Sequence, residues 1–206
     1  MGEDHRSRYF LCSSGQVQLL ETAAEPRRRH PSASTKGRPP RKGMHMALTK
    51  EEYRRLIGSF ATGVTIITMA HGDEVRGMTA NAVTSLSLEP LLLLVCVDKR
   101  TITHQFLEDC GSFAVNILAE DQEQVSRALA SRDSEDARRL VGYHYRPGQT
   151  GAPILHDCLA YVECRVTEVL SGGDHSIFIG QVEGGEVLRD VPPLIFYRGR
   201  YGRLEP

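Results

Sequence analysis

Apolar residues follow two different periods along this chain, and the change between them marks successive elements. Tyr53, Leu56, Ile57 and Phe60 recur at the i, i+3, i+4, i+7 spacing of one helix face. Thr49, three residues ahead of Glu52, supplies the reciprocal capping pattern that starts such a helix. Gly63 offers a left-handed cap to end it. From Val64 the pattern shifts to short β-branched and apolar runs separated by Gly, Asp and Pro. These predict strands over 64–69, 74–78, 83–88, 91–97, 112–118, 159–170, 177–182, 186–188 and 194–197. The run 91–97 is apolar throughout, as expected of a strand buried on both faces. Helices are predicted over 102–108 and 121–130, the latter with Val125, Ala128 and Leu129 on one face. The charged, then Gly- and Pro-containing segment 131–152 reads as a long surface excursion.

Many short strands, tight turns and only two or three helices predict a mainly β fold, a β-barrel with helical additions. There is no βαβ alternation and no GxGxxG, which argues against a doubly wound nucleotide fold. Residues 1–48 show neither period and are rich in Ser, Gly, Pro and Arg from Ala23 to Gly43. They read as a disordered basic tail ahead of a folded domain over 49–206.

Charge sharpens that division. The net charge is −1, yet residues 1–48 hold nine Lys and Arg against four Asp and Glu. A basic tail therefore precedes an acidic body, and nothing in the body favours nucleic acid or a membrane surface. No apolar run is long enough to span a bilayer, and Arg27-Arg28-Arg29 is followed by His, Pro and Ser rather than an export segment. Five cysteines without framework spacing read as buried thiols of a reducing, cytoplasmic compartment. His156, Cys158 and Cys164 lack the paired spacing of a structural zinc site, and the two cysteines are placed on one strand face; no metal is expected.

Four stretches carry candidate chemistry. Thr79-Ala80-Asn81 through Ser85 and Ser87 combines small side chains with hydroxyl and amide groups suited to the polar edge of a flat heterocycle. The plainer reading is a Ser/Thr-rich strand edge. Cys96-Val97-Asp98-Lys99-Arg100-Thr101-Ile102-Thr103 ends a strand at Asp98 and sets two cations and two hydroxyls at a helix opening, a suitable phosphate site, or simply a cap and a solvated turn. Gly172-Gly173-Asp174-His175 delivers a histidine from a turn to a strand mouth, where a surface role is the plainer alternative. Tyr197-Arg198-Gly199-Arg200-Tyr201 offers cations and aromatics to a dinucleotide's phosphate and adenine, or forms a charged edge.

Together these residues carry a resemblance. FATGVTIIT (60–68), the run GMTANAVTSLS to ITHQF (77–106), FAVNIL (113–118), GAPIL (151–155) and GGDHSIFIGQV (172–182) are similar to the flavin reductase-like family, the reductase component of two-component flavin-dependent monooxygenases. The resemblance covers 50–203 in order. It implies a split β-barrel homodimer that binds FMN or FAD and oxidises NADH or NADPH, supplying reduced flavin to a separate oxygenase. By position it implies Thr79, Ala80, Asn81 and Ser85 along the flavin, with Lys99, Arg100, Thr101 and Thr103 at its phosphate. It implies His175 as the catalytic-site histidine facing the nicotinamide, with Arg200 and Tyr201 lining the same pocket. Segment 138–144 departs from the family's usual Lys-Phe pattern, and the tail has no counterpart. Two other readings remain at this point. One is a barrel flavoprotein with a fixed FMN acting as electron carrier or direct oxidoreductase; the other is a non-enzymatic binding module.

Overall fold

A computed structural model describes residues 47–130 and 139–204. Most of the predicted tail and part of the 131–152 segment therefore lie outside the described residues. Helix α1 (Lys50–Ile57) opens with the capping box read from sequence: Glu52 N–H donates to Thr49 Oγ1 at 3.2 Å, and Thr49 N–H donates to Glu52 Oε2 at 2.8 Å. It closes earlier than expected. Gly58 caps it in the right-handed region, and Gly63 instead belongs to the short strand β1 (Thr62–Gly63). The predicted apolar face does not enter the core either, since Tyr53, Leu56, Ile57 and Phe60 are all exposed. Periodicity defined the face but not what it packs against.

The strands are β2 (Thr65–His71), β3 (Glu74–Ala80), β4 (Val83–Leu88), β5 (Leu91–Asp98), β6 (Ser112–Ile117), β9 (Ala160–Gly172) and β10 (His175–Val187) in one sheet. Its order is β3-β2-β6-β9-β10-β5-β4, antiparallel throughout. Strands β7 (Tyr145–Pro147) and β8 (Pro153–Leu155) form a hairpin, and β1 pairs with β11 (Ile195–Tyr197), itself paired with β12 (Arg200–Gly202). Helices α2 (Ile102–Cys110) and α3 (Glu123–Ala130) complete a mainly β architecture with few helices.

The edge strands β3 and β4 stand at opposite ends of the sheet order, yet only Asn81 and Ala82 join them. A two-residue link spans less than about 12 Å, so the end of β3 and the start of β4 lie close together although the strands are at opposite ends of the order. Alternating residues of the central strands fill two apolar clusters: Ile66 and Ala114 belong to one, Ile67, Phe113 and Val115 to the other. That split follows from successive side chains pointing to opposite faces.

Three expectations are corrected here. The run 91–97 is not buried on both faces: Leu91 is exposed and Leu92, Leu93 and Leu94 are half-buried, because β5 lies next to the edge. The predicted strands 177–182 and 186–188 are one strand, β10, carried past Gly184 and Gly185 by a register shift against β9. The described part of 131–152 is mostly exposed, as expected of a surface excursion, and is anchored in the core by Leu140 and Ala152. Cys158 lies ahead of β9 and shares no strand with Cys164.

Candidate functional site

Three segments far apart in sequence meet around one cavity of about 260 Å3. Met78 to Ala82 come from the end of β3 and its link, Cys96 to Asp98 and Thr101 from the end of β5 and the mouth of α2, and His175 from the start of β10. Antiparallel pairing puts His175 opposite Asp98 on one side and opposite Gly172 on the other. The turn before it needs Gly173 at φ 73°, a left-handed conformation that a side chain resists. Leu129 and Ala130 of α3 complete the lining.

Charges at this junction are paired. Asp98 accepts from Arg100 through Nη2 at 2.7 Å, Nε at 3.0 Å and the backbone N–H at 3.0 Å. The Arg100 side chain, then its backbone N–H, hold the Asp98 carboxyl far below the usual carboxylate range, and the same pair raises Arg100. Lys99 Nζ donates to Ser171 Oγ at 2.7 Å and to the Gly173 carbonyl at 2.9 Å, stitching the mouth of α2 to the His175 turn. His175 Nδ1 lies 2.8 Å from Asp174 Oδ1, and this hydrogen bond lowers the Asp174 pKa.

Helix α2 is fixed from both ends of its first turn. Thr101 Oγ1 donates to the Asp98 carbonyl at 2.8 Å and accepts from His104 N–H at 3.3 Å, the ordinary work of an N-cap. Buried His104 places Nε2 2.7 Å from Ser176 Oγ, tying the helix to the residue after His175. Helix α3 is held similarly. Thr79 Oγ1 donates to the Ser126 carbonyl at 2.6 Å, and Ser126 Oγ lies 2.8 Å from Tyr201 Oη.

A second cavity of about 560 Å3 shares Asn81, Ala82 and Cys96 with the first. Its remaining walls are mostly apolar: Ile57 and Phe60 beside α1, Val83 and Leu94 of the sheet edge, and Phe196 of β11. A polar recess thus opens into an apolar one, the arrangement a flat ring with one polar edge requires.

The profile of the flavin reductase like domain matches residues 57–205. The chain belongs to the flavin reductase-like family. It is 38% identical over 168 residues to the reductase subunit HsaB of a flavin-dependent monooxygenase from Mycobacterium tuberculosis, covering 79% of this chain and 87% of that one. It is 38% identical over 155 residues to the reductase component of 4-hydroxyphenylacetate 3-monooxygenase from Thermus thermophilus, covering 75% and 97%. Among solved structures, the Streptomyces globisporus NADH:FAD oxidoreductase SgcE6, in complex with NAD and FAD fragments, superposes with a TM-score of 0.71 at 38% identity, over 76% of this chain and 93% of that one.

Within this flavin reductase-like chain the expected site residues divide. Thr79, Ala80, Asn81, Thr101 and His175 line the cavity, and Lys99 and Arg100 buttress it through the turn and Asp98. Ser85 is exposed on β4 outside it, and Thr103 is fully buried on α2. Arg200 and Tyr201 line a separate cavity of about 530 Å3, so the structure does not bring them to His175. Sequence reasoning missed Leu129 and Ala130, whose only signal was membership in a predicted helix. Burial raises the Cys96 thiol and pushes Cys110 and Cys164 up to about 12 and Cys158 up to about 11, so none is a ready thiolate.

Proposed function

We propose that this chain reduces FMN or FAD with NADH or NADPH and releases the reduced flavin to a separate monooxygenase. The observation that carries the reading is the meeting of Thr79–Asn81, Thr101 and His175 at one cavity inside the family match. The residues present fit a flavin. Amide and hydroxyl groups at 79–81 suit the ring's polar edge, the apolar recess suits its hydrocarbon end, and Lys99 with the mouth of α2 suits a phosphate. When bound, the flavin would supply the redox chemistry, accepting a hydride (two electrons with one proton) from the nicotinamide cofactor, which is left oxidised. The protein's part is to hold two rings in contact and to shape the charge around them. His175, oriented by Asp174, faces the nicotinamide in this reading. Tyr201 acts on it only through Ser126 and α3.

Support for the finer architecture, a split β-barrel, comes from the two-residue link between opposite sheet edges. A homodimer is supported by apolar side chains that the single chain leaves exposed on α1 and at the β4–β5 edge, among them Leu56, Phe60, Leu88 and Leu91. A cytoplasmic location is supported by the four unpaired cysteines among the described residues. No described helix is long and apolar enough to cross a membrane. Residues 49–206 are read as the reductase domain, with 1–48 outside the catalytic unit. Anaerobic assays crossing FMN and FAD with NADH and NADPH test the reading. Bleaching of free flavin in stoichiometric excess over protein is the expected result; bleaching of only one flavin equivalent per chain would instead mark a fixed prosthetic group.

A further inference from the structure

The two cavities at the site continue into a third. The apolar recess shares Arg54, Gly58 and Gly199 with a groove of about 590 Å3 whose lining includes Arg55, Ser59 and Arg198. One trough therefore runs from Thr101 at the mouth of α2, through an apolar middle, to an arginine-lined end.

Those arginines stand apart from the others. Arg76, Arg100, Arg127, Arg139, Arg146, Arg165, Arg189 and Arg203 each face a carboxylate within ion-pair distance. Among the described residues Arg54, Arg55, Arg198 and Arg200 have no such partner, and the first three converge on this groove. Arg54 and Arg55 sit in the last turn of α1, where cations also offset the helix dipole. That accounts for two charges but not for Arg198, which arrives from the β11–β12 turn. Arg198 holds a left-handed φ of 48°, the one non-glycine residue among the described ones to do so. Its N–H donates to the Gly58 carbonyl at 2.8 Å and its guanidinium lies 5.1 Å from the Tyr197 ring centre. A side chain in that backbone region costs about 1 kcal/mol or more. Here the strain delivers a third cation to a groove that already holds two.

We propose that Arg54, Arg55 and Arg198 form a subsite for the phosphates of an adenine dinucleotide. The proposal rests on the reductase reading for which dinucleotide comes here. A flavin carries its phosphate on one side of its ring. With that phosphate at Thr101 and the ring in the apolar middle, the arginine end answers to another phosphorylated group. The adenosine diphosphate half of the nicotinamide cofactor has that chemistry, whereas the second phosphate of FAD is bonded to the first and stays at the Thr101 end.

The test is calorimetric titration of the flavin-free full-length chain with ADP and with 2′,5′-ADP. It compares the natural sequence, the double variant Arg55→Gln/Arg198→Gln, and the control Arg165→Gln, whose partner is Glu183 elsewhere on the surface. Each lost guanidinium–phosphate contact weakens binding about tenfold or more, so both probes lose affinity in the double variant and keep it in the control. Steady-state constants then separate the sources. A rise in KM for NADH or NADPH with both flavins unchanged is the expected result; a rise for FAD alone, with FMN and the nicotinamide cofactors unchanged, would overturn the placement of the nicotinamide cofactor here. Probe affinities within twofold of the natural sequence, or an equal loss in the control, overturn the subsite. A natural-sequence protein that binds ADP through these arginines yet reduces no flavin would overturn the reductase reading and leave the subsite standing.

Discussion

Asp98 shows how one residue serves both scaffold and site. Its carboxyl lines the cavity, pairs in register with His175, and takes three hydrogen bonds from Arg100. A carboxyl whose pKa is depressed on folding stabilises the protein above its unfolded value of about 3.9, and that stabilisation fades as pH falls toward the folded value. Asp98→Asn is therefore expected to lower stability by about 1–2 kcal/mol at pH 7. The deficit shrinks below about pH 4, because the carboxyl of the unfolded chain takes up a proton there while the folded one still carries its charge. Thermal melts across that pH range check the sign; a deficit that grows on acidification would refute it. His175 makes a complementary case. It is half-exposed at the cavity and bonded to Asp174 rather than to the core. Replacing it with Ala is expected to raise KM for the nicotinamide cofactor about tenfold or more, with flavin affinity and melting temperature nearly unchanged. Unaltered kinetics would remove it from the site. The identity of His175 as a candidate was legible from its Gly-Gly-Asp turn. Its opposition to Asp98 was not, because strand register is not written in either segment alone.

Helix α3 is the element whose position matters most for cavity shape. Its carbonyl at Ser126 takes the Thr79 hydroxyl, its Ser126 side chain meets Tyr201, and its last residues line the cavity. Arg127 adds a guanidinium 4.7 Å from the Tyr201 ring centre. Tyr201→Phe keeps the ring and removes one hydroxyl from a pair, so the expected cost is about 0.5–1.5 kcal/mol. If α3 positions the cavity lining, the same variant changes the ratio of nicotinamide KM to kcat, whereas a purely structural role moves the melting temperature alone. Strand β10 is constrained differently. A Cβ at Gly180 would lie 2.6 Å from Cys164 Cβ and 2.8 Å from the Phe113 ring. Gly180→Ala should cost about 1–3 kcal/mol through overpacking, measurable by denaturant unfolding; a neutral outcome would mean that β9 and β10 can separate there. Sequence period located most of these elements to within a few residues. It located the apolar face of α1 without telling that the single chain leaves that face exposed, because period records which side is apolar and not what covers it.

At the scale of the whole molecule, exposed apolar residues on α1 and at the β4–β5 edge border the apolar recess, whose lining includes Ile57, Phe60, Val83 and Leu94. A dimer that buries these surfaces would complete the recess from outside. Light scattering is expected to give twice the chain mass of 22.9 kDa. Phe60→Asp combined with Leu88→Asp should shift it toward the monomer and raise KM for flavin. A monomeric natural protein would overturn this arrangement. What the sequence by itself determined was local: the Thr49–Glu52 cap, the strand positions, the Gly-Gly-Asp turn, and the motif set that marks the family. Local hydrogen bonding and period act within a few residues, so they can be read there. Only the tertiary structure decided that Thr79–Asn81, Asp98, Thr101 and His175 share one cavity, that Ser85, Arg200 and Tyr201 fall outside it, and that three arginines without an ion-pair partner among the described residues line the far end of the trough. Those outcomes depend on the order and register of the strands, which bring the ends of β3, β5 and β10 to one place, a property of the whole sheet rather than of any one segment.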